Sequence, residues 1–367
     1  MIELIIVSTI FIFLIIRLLV VLYNLSTQPL LPFYGAHSSN KKVSILIPCR
    51  NEEKNIGNLL NQLTGFDDDN VTEIIVLDDF STDNTNIIVQ NFAHKFSKLK
   101  LIEGKELPKG WLGKNWACHQ LVAQSKGDYL VFLDADISIT KTCISNSIKR
   151  MQLFDLKVFS LFPDQKMETW GEKLVVPLMH YLLLSLLPLR LVRTSKLPSL
   201  SAANGQFIAF ERSTYNQYQF HEKVKNNVLD DVNIMRFAKE MGLKVEVLLG
   251  NGQIYCRMYT NLKDAIAGFS KNLFAGFGNN LPGIFIYFVF IIFGITYIIF
   301  TGNNILFCAC VLNICFIRLG ISILSRQSIL RNILLNPIQM VLYLIIGVSS
   351  VQQYYTKNTY WKGRKIT

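Results

Sequence analysis

The run Tyr129-Leu130-Val131-Phe132-Leu133 is apolar and β-prone, and it ends abruptly in Asp134-Ala135-Asp136. An uninterrupted apolar strand of this kind belongs in a sheet buried on both faces, and such sheets are largely parallel with covering helices. Ligands in these sheets bind beyond the carboxyl ends of the strands. Two carboxylates delivered there make a site for a hard divalent cation and the phosphate it carries. Upstream, Ile74-Ile75-Val76-Leu77 runs in the same way into Asp78-Asp79-Phe80-Ser81-Thr82-Asp83. Two acidic strand ends in one α/β domain point to a nucleotide-diphosphate pocket.

The rest of the polar region alternates in the same rhythm. Strands are expected at Val43–Cys49, Glu73–Asp79, Leu99–Glu103, Tyr129–Asp136, Lys157–Phe162 and Gln206–Glu211. Helices are expected at Glu53–Leu63, from about Asn84, and at Asn115–Ser125. The alternation is that of βαβ units and a mostly parallel sheet. Pro48-Cys49-Arg50-Asn51-Glu52-Glu53 also occupies a strand end. Any one such cluster serves equally well as a helix N-cap; three at equivalent positions point to a shared site.

Composition argues against a purely soluble chain. Half of the 367 residues are apolar, only 17% are charged, and the mean hydropathy is +0.30. Soluble domains carry about 25% charged residues. Leu4–Leu22 is long enough for an uncleaved anchor, since no basic n-region or small-x-small site marks it for removal. Pro282–Phe300, Ile305–Leu324 and Ile333–Val351 supply three more spans. The loop with Arg326 and Arg331 belongs on the cytoplasmic side, and the polar region with it. The basic tail would then fall outside unless Asn336-Pro337 breaks the last segment into a re-entrant hairpin. Leu174–Val192, interrupted by Pro177, His180, Pro188 and Arg190, is either an interfacial or re-entrant element or a buried core helix. Arg17 and Arg318 are the ionisable residues inside the spans, each near enough to an end to snorkel.

The formal charge of +11 suits anionic lipid headgroups or a nucleotide-sugar substrate. Nucleic acid is not expected, because the basic residues are dispersed and not interleaved with stacking aromatics. The seven cysteines form no C-x-x-C pair, so neither a zinc site nor a disulfide framework is expected.

Five motifs in order carry a family resemblance: Ile47–Glu53, Asp78–Asp83, Gly110-Trp111-Leu112-Gly113-Lys114-Asn115-Trp116-Ala117, Asp134–Asp136 and Asp230-Asp231. Together they resemble the family 2 glycosyltransferases of the nucleotide-binding GT-A fold. The Gly-Trp-x-Gly-Lys-x-Trp-Ala segment, His221, Arg257-Met258-Tyr259 and Trp361–Arg364 narrow the likeness to a membrane-bound branch. That branch contains the carotenoid-acid and hopanoid-associated glycosyltransferases. Two departures stand out: Phe80 where the family usually has glycine, and Gln219-Phe220 before His221 where glycines are expected.

The resemblance implies an α/β GT-A domain, a nucleotide diphosphate sugar donor that is usually UDP-linked, and inversion at the anomeric carbon. It places Asp134 and Asp136 on Mg²⁺ or Mn²⁺ bridging the diphosphate, with Asp134 shared between metal and ribose. Pro48, Glu52 and one of Asp78 or Asp79 would bind base and ribose, while Lys114 and Arg257 would reach the phosphates. Asp231 is the expected general base, and Asp230 a first-turn residue favoured by the helix dipole. An acidic pair favours a hydroxyl acceptor, since a carboxylic acid is ionised at neutral pH and needs no base. The expected acceptor is a lipid, isoprenoid or other hydrophobic molecule, and the expected location is the cell membrane with the catalytic domain facing the cytoplasm. The implied organisation is an anchor at 1–24, a catalytic domain at 41–260, an interfacial amphipathic helix at 261–280, a transmembrane region at 281–352 and a basic tail at 353–367. In the helix, Leu262, Ile266, Phe269, Leu273 and Phe277 form an apolar stripe that either lies in the headgroup layer or packs on the catalytic domain.

Rivals are a polyprenyl-phosphate glycosyltransferase and a processive polysaccharide synthase. The latter usually carries a Gln-x-x-Arg-Trp motif that is absent here. A catalytically inactive membrane scaffold would have lost Asp134, Asp136 or Asp231, and all three are present.

Overall fold

The computed structural model describes residues 1–35, 41–66 and 68–356, and the backbone of 360–361 and 364–365. Residues 357–359, 362–363 and 366–367 of the expected 353–367 tail lie outside the described residues. The chain forms two units: one of 29–164 and 189–257, the other of 1–28, 165–188 and 258–367.

In the first of these, strands β1 (Val43–Cys49), β2 (Val71–Asp78), β3 (Leu99–Glu103) and β4 (Tyr129–Leu133) lie parallel in the order β3-β2-β1-β4. A short β5 (Ile137–Ile139) follows, then β6 (Val158–Phe162) and a two-residue β7 (Asp164–Gln165). Strand β8 (Phe207–Glu211) enters antiparallel between β4 and β6, and β9 (Val245–Leu249) closes the sheet parallel to β6. The sheet is thus mixed and mostly parallel, as its apolar strands require: β4 and β6 are buried at every position. Covering helices are amphipathic. Ile56, Leu59, Leu60 and Leu63 of Ile56–Gly65 are buried, the i, i+3, i+4, i+7 stripe of a surface helix. Sequence reasoning missed β9, although Val245-Glu246-Val247-Leu248-Leu249 is fully buried. Glu246, inside it, pairs with Arg150 at 2.6 Å and Arg193 at 2.8 Å.

Two parallel strands are clamped together at their carboxyl ends. Asn51 N–H donates to Ser81 Oγ (3.0 Å), Glu52 N–H to Thr85 Oγ1 (2.8 Å) and Thr82 N–H to Asn51 Oδ1 (2.8 Å). Phe80 holds φ at +55° in this loop and Gln219 holds +47° before His221. Both stand where the family resemblance led us to expect glycine, so the backbone keeps a glycine-like conformation under a different side chain.

The other unit is helical. Three of its helices are long and apolar enough to cross a membrane: Ile2–Thr27, Leu281–Phe300 and Asn304–Leu324. The second contains a π-helical turn at Val289–Phe293. Ile10 and Leu14 pack with Ile298 and Cys310. The expected fourth span differs. A short helix Ile329–Leu334 precedes a separate Asn336–Thr356, in which Pro337 stands in the first turn. A first-turn proline costs no hydrogen bond, so Asn336-Pro337 opens a continuous helix and breaks none. The apolar stretch 174–192 is divided among Trp170–Val175, Pro177–Leu186 and Arg190–Thr194.

Leu262–Gly276 is capped by Asn261, whose side chain accepts from Asp264 N–H at 2.9 Å. Its buried face is Ala265, Ser270, Leu273 and Phe274, and Phe274 N–H donates to Ser350 Oγ on Asn336–Thr356 at 2.8 Å. Leu262, the first residue of the expected stripe, is exposed. Arg17 and Arg318 do not snorkel, since each is only 1% exposed.

Candidate active site

The register of β4 against β8 ends at Leu133–Phe207, and Asp134 N–H then donates to Gln206 O at 3.1 Å. This brings Asn204-Gly205-Gln206 alongside Asp134-Ala135-Asp136. Gly205 N–H donates to Asp231 Oδ2 at 2.8 Å, and Gln206 Nε2 lies 3.4 Å from Asp136 Oδ1. One three-residue segment therefore links the expected base to the expected metal carboxylates. A β-carbon on Gly205 would stand 3.3 Å from Lys114 Nζ and 3.5 Å from Asp231 Oδ2, so this glycine lies directly against both side chains.

Lys114 is in the first turn of Gly113–Gln124, and its ammonium caps Asp134 at 2.7 and 2.8 Å and Gly205 O at 3.3 Å. Burial alone would lower its pKa, but Asp134 and Asp230 outweigh burial and raise it, so it stays charged. Pro48, Lys114, Asp134, Gly205, His221, Asp230 and Asp231 line one recess, with Cys118, Phe132, Ile208 and Ile234 as its apolar wall.

Asp231 begins the helix Asp230–Glu240 and accepts from Val232 N–H through Oδ1 at 2.7 Å. Burial, followed by the neighbouring Asp230, pushes its carboxyl up to about 7. A carboxylate titrating there is suited to general-base chemistry at neutral pH. Burial also raises Asp230, against Lys114, and it accepts from backbone N–H groups of its own first turn. His221 is buried with Nδ1 2.7 Å from Tyr215 Oη. Burial and then Lys114 hold it down at about 3, so it is a neutral wall residue.

The remaining expected residues are spread along the sheet edge. Asp78 is buried with both oxygens engaged by its own loop, by Ser81 N–H and Asn86 Nδ2, each at 3.0 Å. Asp79 is buried beside Arg50, whose Nη1 lies 4.0 Å from its carboxylate. Glu52 accepts from Asn55 Nδ2 at 2.8 Å. Arg257 follows Cys256, which pairs with Ile137 directly after Asp136 in the β5–β10 (Ile254–Cys256) ladder.

Among the described residues no three His, Cys, Asp or Glu side chains group closely enough to hold a metal. The donor set nonetheless fits Mg²⁺ or Mn²⁺. Asp134 and Asp136 are hard oxygen donors on one strand end, and such ions are held by one or two carboxylates completed by substrate phosphates and water. Sequence reasoning missed Gly205 and Gln206. The available signal was a polar Asn-Gly-Gln triplet directly before the apolar run Phe207–Phe210.

Residues 44–218 match the family model described as Glycosyl transferase family 2. The chain is 25% identical over 353 residues to 4,4'-diaponeurosporenoate glycosyltransferase of Staphylococcus haemolyticus, covering 90% of this chain and 89% of that protein. A protein of the same name from Staphylococcus aureus is 32% identical over 117 residues, 31% of this chain and 29% of that one. Among solved structures, the mannosyltransferase PcManGT from Pyrobaculum calidifontis, in complex with GDP-Man and Mn²⁺, superposes with a TM-score of 0.57 at 16% identity, covering 98% of this chain and 100% of that chain. At that identity the likeness speaks to fold alone.

Proposed function

We propose that this chain, whose residues 44–218 match the Glycosyl transferase family 2 model and whose fold is GT-A-like, works as the carotenoid-acid enzymes it resembles do, moving a sugar from a nucleotide diphosphate sugar to a hydrophobic acceptor with inversion. The observation that carries this is the Asn204-Gly205-Gln206 segment, which joins Asp231, Lys114 and Asp134 in one recess and reaches Asp136 through Gln206.

Asp231 takes the proton of an acceptor hydroxyl as its oxygen attacks the anomeric carbon. The sugar–phosphate bond breaks and a nucleoside diphosphate, taken here as UDP, departs from the opposite face. Asp136 and Asp134 would hold Mg²⁺ or Mn²⁺, which neutralises charge on the departing diphosphate. Lys114, which pairs with Asp134, would supply a point charge for the same phosphates. Asp78 fixes the loop that presents Asp79, and Pro48, Glu52 and Arg257 complete the donor's surroundings. Three helices long and apolar enough to cross a membrane support a membrane-bound enzyme, and the basic loop with Arg326 and Arg331 supports a cytoplasmic catalytic side.

A second acceptor class is favoured by the Staphylococcus haemolyticus relative, whose name makes its acceptor a carotenoid acid. A carboxylate arrives already ionised and makes little use of a base. The deciding experiment is UDP release in nanodiscs with a panel of nucleotide sugars, Mg²⁺ or Mn²⁺, and an alcohol or acid lipid. Metal- and lipid-dependent release that Asp136→Ala reduces at least 10²-fold supports the proposal. Full release by Asp136→Ala overturns it. An Asp231→Asn enzyme that fails with the alcohol and works with the acid identifies the acceptor as a carboxylate.

A further inference from the structure

Arg17 and Arg318 lie inside helices long and apolar enough to cross a membrane, and both are buried. Their guanidinium carbons stand over the same ring, Tyr181, at 4.5 and 3.9 Å. Arg17 donates from Nη1 to Tyr181 Oη (3.0 Å) and from Nη2 to Ser185 Oγ (2.7 Å), and Arg318 donates from Nε to Asn336 Oδ1 (2.7 Å). Every one of these partners is neutral. Among the described residues, neither arginine has a carboxylate.

The sheet-bearing unit shows what a completed pair looks like in this protein. There Arg150 and Arg193 flank Phe154 at 4.0 and 4.1 Å and share Glu246. The helical unit repeats the two guanidiniums and the shared ring but omits the anion. Arginine cannot shed its charge, so two such cations buried together call for a negative partner. Unsatisfied polar atoms mark where it belongs. Arg318 Nη2 is buried with no hydrogen-bond partner, and the buried hydroxyls of Tyr287 and Tyr343 have only each other. Tyr287 also faces Arg17, whose guanidinium carbon is 6.0 Å from its ring, and packs on Tyr343 with ring centres 6.0 Å apart.

We propose that the helical unit binds the anionic head of an amphiphile, a carboxylate or phosphate, between Arg17 and Arg318, with Arg318 Nη2 and one hydroxyl of the Tyr287–Tyr343 pair as donors. An amphiphile is favoured over a free ion because the outer faces of these same helices are apolar. Ile12, Ile16, Leu19, Leu312 and Phe316 are all exposed, so an acyl or isoprenoid tail has a surface to follow. The site stands on this unit alone and does not depend on the sugar-transfer reading.

The test uses the full chain in phosphatidylcholine nanodiscs, with binding followed by tryptophan quenching and thermal midpoint. The probes are all-trans-retinoic acid, farnesyl monophosphate, retinol and inorganic phosphate. At least one anionic amphiphile is expected to bind tenfold or more tighter than retinol, and the better of the two names the head. Arg318→Gln is expected to lose that tenfold preference while UDP affinity stays unchanged, and to raise the midpoint of the ligand-free protein. A residue that merely packs would lower it. If Arg318→Gln does not fold, Arg318→Lys keeps the charge but not the fork and is still expected to weaken the anionic amphiphile. Equal binding of retinol and the anions, undiminished binding by the variant, or an equal response to inorganic phosphate alone overturns the proposal.

Discussion

Asp231 is subject to two opposing influences at the scale of the single residue. Backbone N–H groups of Gly205 and Val232 stabilise its carboxylate, while burial and Asp230 resist the charge and prevail, leaving it near 7. As the proposed base it would work only when deprotonated, so kcat/KM with a hydroxyl acceptor is expected to rise about tenfold per pH unit below 7 and level off above. Asp231→Asn should remove that limb and cost roughly 10²–10⁴ in rate, measurable as a pH profile of UDP release. The stability consequence has the opposite sign. A carboxyl raised from 3.8 on folding binds its proton more tightly in the folded state. Its contribution to stability is therefore fully present below about pH 4 and is lost as pH rises through 7. Phe80 and Gln219 carry a different strain, a positive φ under a bulky side chain. Left-handed backbone costs about 1–2 kcal/mol outside glycine. Phe80→Gly and Gln219→Gly are expected to keep the thermal midpoint or raise it, whereas Phe80→Val, β-branched, should lower stability by more than about 1 kcal/mol.

Elements differ in how openly the sequence declares them. The strands β1 to β4 were legible because their cause is local: apolar runs that end in polar residues mark both the strand and its ligand edge. The carboxylates at those ends were legible for the same reason. Long-range pairing was not. Gln206 reaches Asp136 only because β8 inserts antiparallel beside β4, and nothing local announces that insertion. The burial of Arg17 and Arg318 was likewise hidden, since a span viewed alone offers an arginine only solvent or headgroups. Their partners Tyr181, Ser185 and Asn336 come from other helices. Helix contact in the apolar unit also depends on small residues. A β-carbon on Gly320 would run into Val21, and one on Gly347 into Phe288. With little hydrophobic drive between helices in lipid, close backbone approach is what holds such pairs together. Gly320→Leu is expected to cost about 1–3 kcal/mol and to lower the thermal midpoint in detergent, while Leu at exposed Ile12 should change neither.

At the scale of the whole molecule, two units of different physical character occur in one chain: a buried mixed sheet with charged strand ends, and a helical unit with three helices long and apolar enough to cross a membrane. That combination suits a polar, phosphate-bearing donor and an acceptor that stays in lipid. The +11 formal charge adds attraction to both the donor and an anionic membrane surface, so activity on anionic vesicles should fall as salt rises. The most direct test is to supply sugar-labelled UDP-sugars and Mn²⁺ to the full chain in nanodiscs with a lipid extract, then count label in the organic phase. The account predicts label in the organic phase that requires metal and disappears with Asp136→Ala and, for hydroxyl acceptors, with Asp231→Asn. Label that stays entirely in the aqueous phase with every nucleotide sugar, or organic label undiminished by Asp136→Ala, would contradict it.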